Sequence, residues 1–440
     1  MTKDLIKVPS AKRLMSSMRE LGYEFADAVA EIVDNSIQAN ANVVQVKLHF
    51  DGIDSFLTIL DNGTGMTPHQ IREAMRFGSS SREYEKTDLG KFGLGLKTAS
   101  LSQCDLLTVS SRNLEKIQRI CSYSWDVKHI SKVDRWEILP VDENHLLNNV
   151  VEHLYETTGT AITWEGLGRL MNFESPSGGR AENNIKKLIE ELRISLGAIF
   201  HRYITGEERS KKIIIFVNDE KVEAWDPFSR DEKNTRELES FVIPVSLNGK
   251  KGQIKFRPFV LPSQKQFSSN SSHVRAGGVM KWNKQQGFYI YRAGRLLQSG
   301  GWCGLRTSDE HSKLARVMVN IPPGFDDMFK VNVSKMKINF PRELRAEVFA
   351  KLAPVLKIAN DAYRKHEDTS LLDISVYSLE INSLIKVIEN SLSSLDSRWE
   401  LQNGTIKSVF PKLYARATPS ERRALLRIFK RLSCDAEESS

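Results

Sequence analysis

The sequence predicts an α/β protein built as an α+β sandwich, and three observations lead there. An apolar stripe at helical spacing over residues 21–39 runs directly into two alternating strand patterns at 43–50 and 55–61. A second strand-rich stretch starts near 210 and closes in a long helical pattern at 340–366. The stretch 369–440 then reads as helical and basic, with no strand pattern. These shifts divide the chain into 1–205, a second α/β domain at 206–368, and a basic helical region at 369–440.

At 440 residues the chain is too long for one ordinary core. Its 40% apolar and 27% charged content is that of a globular protein. No apolar run is long enough for a membrane span, and "MTKDLIKVPSAKRL" lacks the apolar core of a secretory signal. Cys104, Cys121, Cys303 and Cys434 are scattered without CxxC pairs, which argues against a zinc site or disulfide frame and for free thiols in a reducing cytoplasm. Lys plus Arg is 63 against 55 Asp plus Glu, a net charge of +8. That excess is compatible with a solvated basic surface or with nucleic-acid contact.

The elements follow in order. Over 21–39, Phe25, Val29, Ile32, Val33 and Ile37 form the apolar stripe, and Asp27, Glu31, Asp34 and Asn35 fall opposite it. "VVQVKLHF" and "SFLTILD" flank the turn "DGID" and predict a hairpin. "TPHQIREAMRFG" carries a helix start, with Thr67 as cap and Pro68 in the first turn, and Gly78 as its stop. Residues 78–97, "GSSSREYEKTDLGKFGLGLK", read as a loop that ends at a helix N-terminus. Strands are expected at 104–112, 116–125 and 159–166, and a helix at about 181–203. In the second stretch "KKIIIFVNDEKV", "SFVIPVSL", "GQIKFRPFVL", "GFYIYRAGRLL" and "LARVMVNIP" are strand-like. The final helix opens on "TPSE" and sets Arg422, Arg423, Arg427, Lys430 and Arg431 around Leu425, Leu426, Ile428 and Phe429.

Three short motifs can carry chemistry. Glu31 and Asn35, four apart, project from one helix face. "DNGTGM" at 61–66 ends a strand on an acid, Asp61, which can accept a hydrogen bond from an amino group. Gly63 and Gly65 there let backbone approach a flat ring. "GKFGLGLKT" places Gly90, Gly93 and Gly95 before a helix, where free amides and the positive helix end form a phosphate cradle. It has neither Walker A spacing nor the strand that precedes a dinucleotide fingerprint. Each motif alone is weak.

Together and in this order, with "GT" at Gly159 and Thr160, they resemble the ATP-binding domain of the GHKL superfamily, over about residues 20–170. That superfamily groups gyrase-type topoisomerases, the ninety-kilodalton heat-shock chaperones, histidine kinases and MutL. The resemblance implies a Bergerat-type ATP-binding fold, with ATP and Mg²⁺ as cofactors. It implies Glu31 as the general base that polarises the attacking water and Asn35 as the Mg²⁺ ligand. Asp61 matches the adenine-binding acid, Gly63 lies in the same adenine motif, and Gly65 and Met66 match residues packed near the base. Gly90, Gly93 and Gly95 match the lid glycines, the amides of Leu94, Gly95, Leu96 and Lys97 would meet the phosphates, and Thr160 supports adenine recognition through Asp61. Asp34 either orients the helix or approaches the nucleotide.

Within the superfamily the second stretch looks like a transducer domain of prokaryotic MORC-like and MutL-like proteins, in which a lysine reaches the γ-phosphate. "VNVSKMKINFP" offers Lys335 first and Lys337 second. The implied protein is a cytoplasmic, ATP-hydrolysing clamp that dimerises on ATP and acts on DNA or a client, with a nuclease or other subunit as a possible partner and no membrane role. The alternatives are a low-turnover nucleotide-gated scaffold in a DNA-processing or anti-phage defence complex, and a histidine kinase. Against the kinase stands the stretch before residue 21, which holds no His. Gln38 stands where many relatives have a second acid, and neither paired zinc-binding cysteines nor an endonuclease motif is visible.

Overall fold

The computed structural model describes residues 10–20, 22–77, 95–113, 117–170, 175–207, 212–247, 249–278, 280–322 and 340–364, with short islands between 324 and 338. Gly90, Gly93, Leu94, Lys335, Lys337 and the basic segment 418–431 lie outside them. The chain divides into two compact units, 1–360 and 361–440, and the account below concerns the first.

Helix α1 (Ala11–Arg19) precedes α2 (Phe25–Gln38), whose predicted stripe is buried through Val29, Ile32, Val33 and Ile37. Strands β1 (Val43–His49) and β2 (Phe56–Asp61) form the expected antiparallel hairpin. Helix α3 (Pro68–Met75) starts in a capping box, where Thr67 accepts from the Gln70 amide and Gln70 accepts from the Thr67 amide. It stops before Gly78, with Arg76 already extended. Helix α4 (Gly95–Gln103) leads into β3 (Leu106–Asn113) and β4 (Ile117–Asp126). Then come α5 (Val127–Val133), β5 (Leu139–Pro140), α6 (Asn148–Glu156), β6 (Gly159–Glu165), α7 (Gly179–Ile199) and α8 (His201–Thr205).

The first sheet runs β5-β4-β3-β6-β2-β1-β7-β8, where β7 is Ile214–Val217 and β8 is Glu220–Lys221. This sheet continues past residue 205. The strand from "KKIIIFVNDEKV" pairs parallel with β1, Val43 opposite Ile214, and belongs to the first sheet. Its buried Ile215 and Val217 complete the core that α2 covers, which the pattern of one short strand cannot reveal. Alternation along β2 sorts the layers. Leu57 and Ile59 join the main core with α2, and Leu60 turns to the other face, against Val150 and Leu154 of α6. Helices thus cover both faces of an almost wholly antiparallel sheet, an α+β sandwich.

The second sheet holds β9 (Arg236–Glu237), β10 (Phe241–Leu247), β11 (Lys250–Val260), β12 (Gly287–Arg292), β13 (Arg295–Ser299) and β14 (Ala315–Asn320). Helices α9 (Asn270–Gly277) and α10 (Lys281–Gln285) connect β11 to β12. Its core gathers Trp225, Phe228, Phe259, Tyr289 and Tyr291. Arg316 lies inside it, with its guanidinium near the rings of Trp225, Trp282 and Tyr289 and donating to the carbonyls of Pro227 and Ala276. A buried cation is tolerated there because ring faces and carbonyls replace its water. Residues 342–360 are helical, within the long helix expected at 340–366.

Polar contacts join the two sheets. His201 Nε2 meets the Tyr291 hydroxyl at 2.8 Å, and Arg202 donates to Asn320 Oδ1 at 2.9 Å while its guanidinium lies 3.9 Å from the Tyr291 ring centre. Burial pushes the His201 imidazole down to about 4, so it is neutral at ordinary pH. Tyr203 donates its hydroxyl to the carbonyl of Ala293, at the tip of the β12–β13 hairpin.

Candidate functional site

Helix α2 is the element from which the site is built. Part of its polar side is buried. Glu31 and Asp34 are 5% and 1% exposed, because the β12–β13 hairpin delivers a cation to them. Arg295 Nη1 lies 2.9 Å from Glu31 Oε1 and 2.7 Å from Asp34 Oδ2. Burial pulls the arginine's pKa down, and the carboxylates of Asp34 and Glu31 outweigh it and hold the charge in place. Asn35, one residue on, is exposed, so its amide faces outward while Glu31 is held inside.

The next residue of the same helix reaches the second part of the site. Ser36 donates to Asp61 Oδ2 at 2.9 Å. The amides of Gly63 and Thr160 donate to Asp61 Oδ1 at 2.9 and 3.2 Å. Burial nonetheless pushes the Asp61 carboxyl above the usual range, against the downward pull of these donors. Thr160 is fixed in turn by the Ser111 hydroxyl, 3.0 Å from Thr160 Oγ1 and donating to Gly159 O at 2.6 Å. The Met66 amide donates to the same Ser111 oxygen, so Asp61, Met66 and Thr160 form one connected cluster.

The glycines are required by close backbone approach. Gly65 has φ +68°, and a Cβ there would stand 2.1 Å from the Arg112 carbonyl oxygen. Gly159 has φ +138°, and its Cβ would collide with the Asp61 carbonyl oxygen. A Cβ on Gly63 would lie 2.7 Å from Ala39 O. A side chain at Gly159 would push apart the strand ends that carry Asp61 and Thr160, and one at Gly63 or Gly65 would press on the backbone of Ala39 or Arg112.

Gly95 opens α4 beside Glu31, and a Cβ on it would come within 2.8 Å of Glu31 Oε2. Leu96 is half-buried against the main core. The Lys97 side chain turns to α3, where its Nζ donates to Ala74 O at 2.9 Å and Arg76 O at 2.8 Å and lies 5.7 Å from the Phe77 ring centre. Burial pushes its ammonium down to about 8. Its side chain therefore ties two helices, and only its amide is set toward the start of α4.

With this geometry in place, the likeness to known proteins can be read. Residues 23–160 match the family described as histidine kinase-, DNA gyrase B- and HSP90-like ATPase. Residues 23–160 thus carry a GHKL-type ATPase domain. The chain is 37% identical over 78 residues to the ATPase MORC2B of Mus musculus, covering 17% of this chain and 8% of that protein. It is 26% identical over 111 residues to the DNA mismatch repair protein MutL of Herminiimonas arsenicoxydans, or 24% and 17% of the two chains. The chaperone HtpG of Alkaliphilus oremlandii aligns over 239 residues at 23% identity, 51% of this chain and 36% of that one. The chain thus spans less than a fifth of the MORC2B and MutL proteins it matches.

The residues of this GHKL domain fit the nucleotide its superfamily binds. Among the described residues Asp61 receives two amide donors on Oδ1 and one hydroxyl on Oδ2, which leaves a lone-pair direction on Oδ2 for an amino group. The described residues hold no group of three or more His, Cys, Asp or Glu that could cage a metal. Ser36, Ser111 and Arg295 were not foreseen. Ser36 and Ser111 sit beside predicted residues and act through them. Arg295 lies 264 positions from Glu31, where no local pattern can point.

Proposed function

We propose that the chain is a Mg²⁺-dependent ATPase, hydrolysing ATP to ADP and phosphate. The observation that carries this reading is the layout of α2. In a little over one turn it presents a buried carboxylate toward the start of α4, an exposed carboxamide, and a hydroxyl on the buried Asp61. Those are the groups needed at the two ends of one nucleotide. Asp61 would take the adenine amino group, backed by Thr160 and Ser111. Asn35 would hold Mg²⁺, which supplies charge neutralisation at the phosphates. The amides of Gly95 to Lys97, at the positive end of α4, would receive phosphate oxygens. Glu31 would align a water for in-line attack on the γ-phosphorus and accept its proton as the bond to ADP breaks.

Glu31→Ala is the direct test. It leaves Arg295 still paired with Asp34, so the fold should survive. The variant should bind an unhydrolysable ATP analogue as the wild type does and lose about 100-fold or more in turnover. An unchanged hydrolysis rate would remove Glu31 from its role. Tight ATP binding with negligible turnover already in the wild type would favour the nucleotide-gated scaffold.

The wider action is proposed in the same spirit. ATP would draw two copies together as a clamp that acts on DNA or a client protein, and the kinship with MORC and MutL proteins and the net charge of +8 support it. Lys335 or Lys337 would complete the site at the γ-phosphate, and both lie outside the described residues. Measurement of molar mass with and without the ATP analogue, and of ATPase rate with and without DNA, checks these steps.

A further inference from the structure

We infer that Arg295 is a positioning residue for Glu31, through which the second sheet sets the orientation of the carboxylate that activates water. The inference rests on the reading of Glu31 as the base. It starts from the two oxygens of one carboxylate. Oε1 is held by Arg295 Nη1 at 2.9 Å. Oε2 lies toward Gly95, the first residue of the helix that faces the phosphates in the proposed site. One oxygen is clamped and the other is aimed, the arrangement a base needs to keep its rotamer between turnovers.

The clamp is itself fixed. Arg295 follows the tight turn at Ala293 and Gly294, both with positive φ, so that it stands opposite Arg292 at the first paired position of the hairpin. Tyr203 of α8 donates to the Ala293 carbonyl, and its ring lies where a Cβ on Gly294 would come within 3.3 Å. The Phe200 ring lies 6.0 Å from the guanidinium. The hairpin tip is thereby seated on α7 and α8, with Arg295 reaching past it to α2. The same Nη1 also binds Asp34, so the cation separates two buried carboxylates one turn apart that would otherwise repel. This gives Asp34 a purpose that needs no contact with nucleotide. It anchors the arginine that holds Glu31.

The test uses the full chain with ATP and Mg²⁺. Arg295→Met should lower kcat by about 10- to 100-fold, with affinity for an unhydrolysable ATP analogue changed by no more than about twofold. Arg295→Lys keeps the charge without the fork and should return kcat to within about threefold of the wild type. Should Arg295→Met not fold, Arg295→Met combined with Asp34→Asn removes one of the stranded carboxylates and carries the same reading. A kcat within about twofold of the wild type in Arg295→Met, a rise in kcat, or a loss that Lys does not restore would each overturn the proposal. So would loss of nucleotide binding in step with turnover, which marks a structural role. Glu31→Ala measured alongside separates the two readings. If it hydrolyses ATP normally, the base assignment falls. If it is inactive while Arg295→Met turns over normally, Arg295 alone loses its role.

Discussion

Asp61, proposed above to take the adenine amino group, would make nucleotide affinity depend on pH. Its carboxyl is raised by burial, so the folded chain binds a proton at a pH where the unfolded chain has already released it. The sign follows. Between the unfolded and the raised folded value, stability from this group falls as pH rises, and acidification through the folded value relieves it. Recognition runs the other way, because protonation at Oδ2 removes the acceptor proposed for the adenine amino group. ADP affinity in the wild type should therefore drop on acidification through the raised folded value, while the Asp61-specific contribution to stability improves. Calorimetric titration of ADP across that range, beside Asp61→Asn, checks it: the variant should bind weakly and without that pH dependence. The placement of Glu31 and Asn35 on α2 and of Asp61 at the end of β2 was legible in the sequence, because each sits at a fixed offset within a local motif. The burial of Glu31 and Asp34 was not, since the opposite side of an amphipathic stripe normally faces water. Only a cation from a distant hairpin reverses that expectation.

Among elements, the pair α3 and α4 is fastened by a residue that the glycine motif placed near phosphate. Lys97 satisfies two carbonyls at the C-terminal end of α3, where a cation also meets the negative end of the helix dipole. Lys97→Met should cost about 1–3 kcal/mol, since it strands both acceptors. Denaturant unfolding should show this as a lower midpoint at an unchanged slope. The pH dependence has a definite sign as well. A lysine pushed down to about 8 gives up its proton on the folded chain before the unfolded one does, so its contribution to stability rises between about pH 8 and the ordinary lysine value. Periodicity located most strands of both sheets to within a residue or two, among them β1, β2, β6 and β10. It missed α1, α5 and α6. α5 is a short helix of seven residues, and α1 and α6 bury only two residues each, so none carries an extended apolar stripe to read.

At the scale of the whole molecule, residues 1–360 gather into one compact unit. β7 crosses back into the first sheet, and His201, Arg202, Tyr203 and Arg295 pin the second sheet to the first. Two domains joined only by a linker would melt separately. These two sheets should melt together, so calorimetry should give a single transition for the region, with equal calorimetric and van't Hoff enthalpies. Tyr203→Phe should lower that transition as a whole; a second, separate peak would show that the sheets unfold independently. Pairings of this kind bring together residues hundreds of positions apart. Composition and periodicity carry no record of them, which is why the layers were legible and their union was not.

The tip of the β12–β13 hairpin has a bearing on how this protein can change length. Hairpin tips ordinarily accept extra residues, since they hang in solvent. Here the tip is pressed against Tyr203, and Arg295 comes directly after it. One added residue between Gly294 and Arg295 would turn the guanidinium to the opposite side of the sheet, and two would restore the side but move it a full pleat along the strand. The distance from turn to arginine is thus a ruler, and the loop that looks most dispensable in outline has no slack in it.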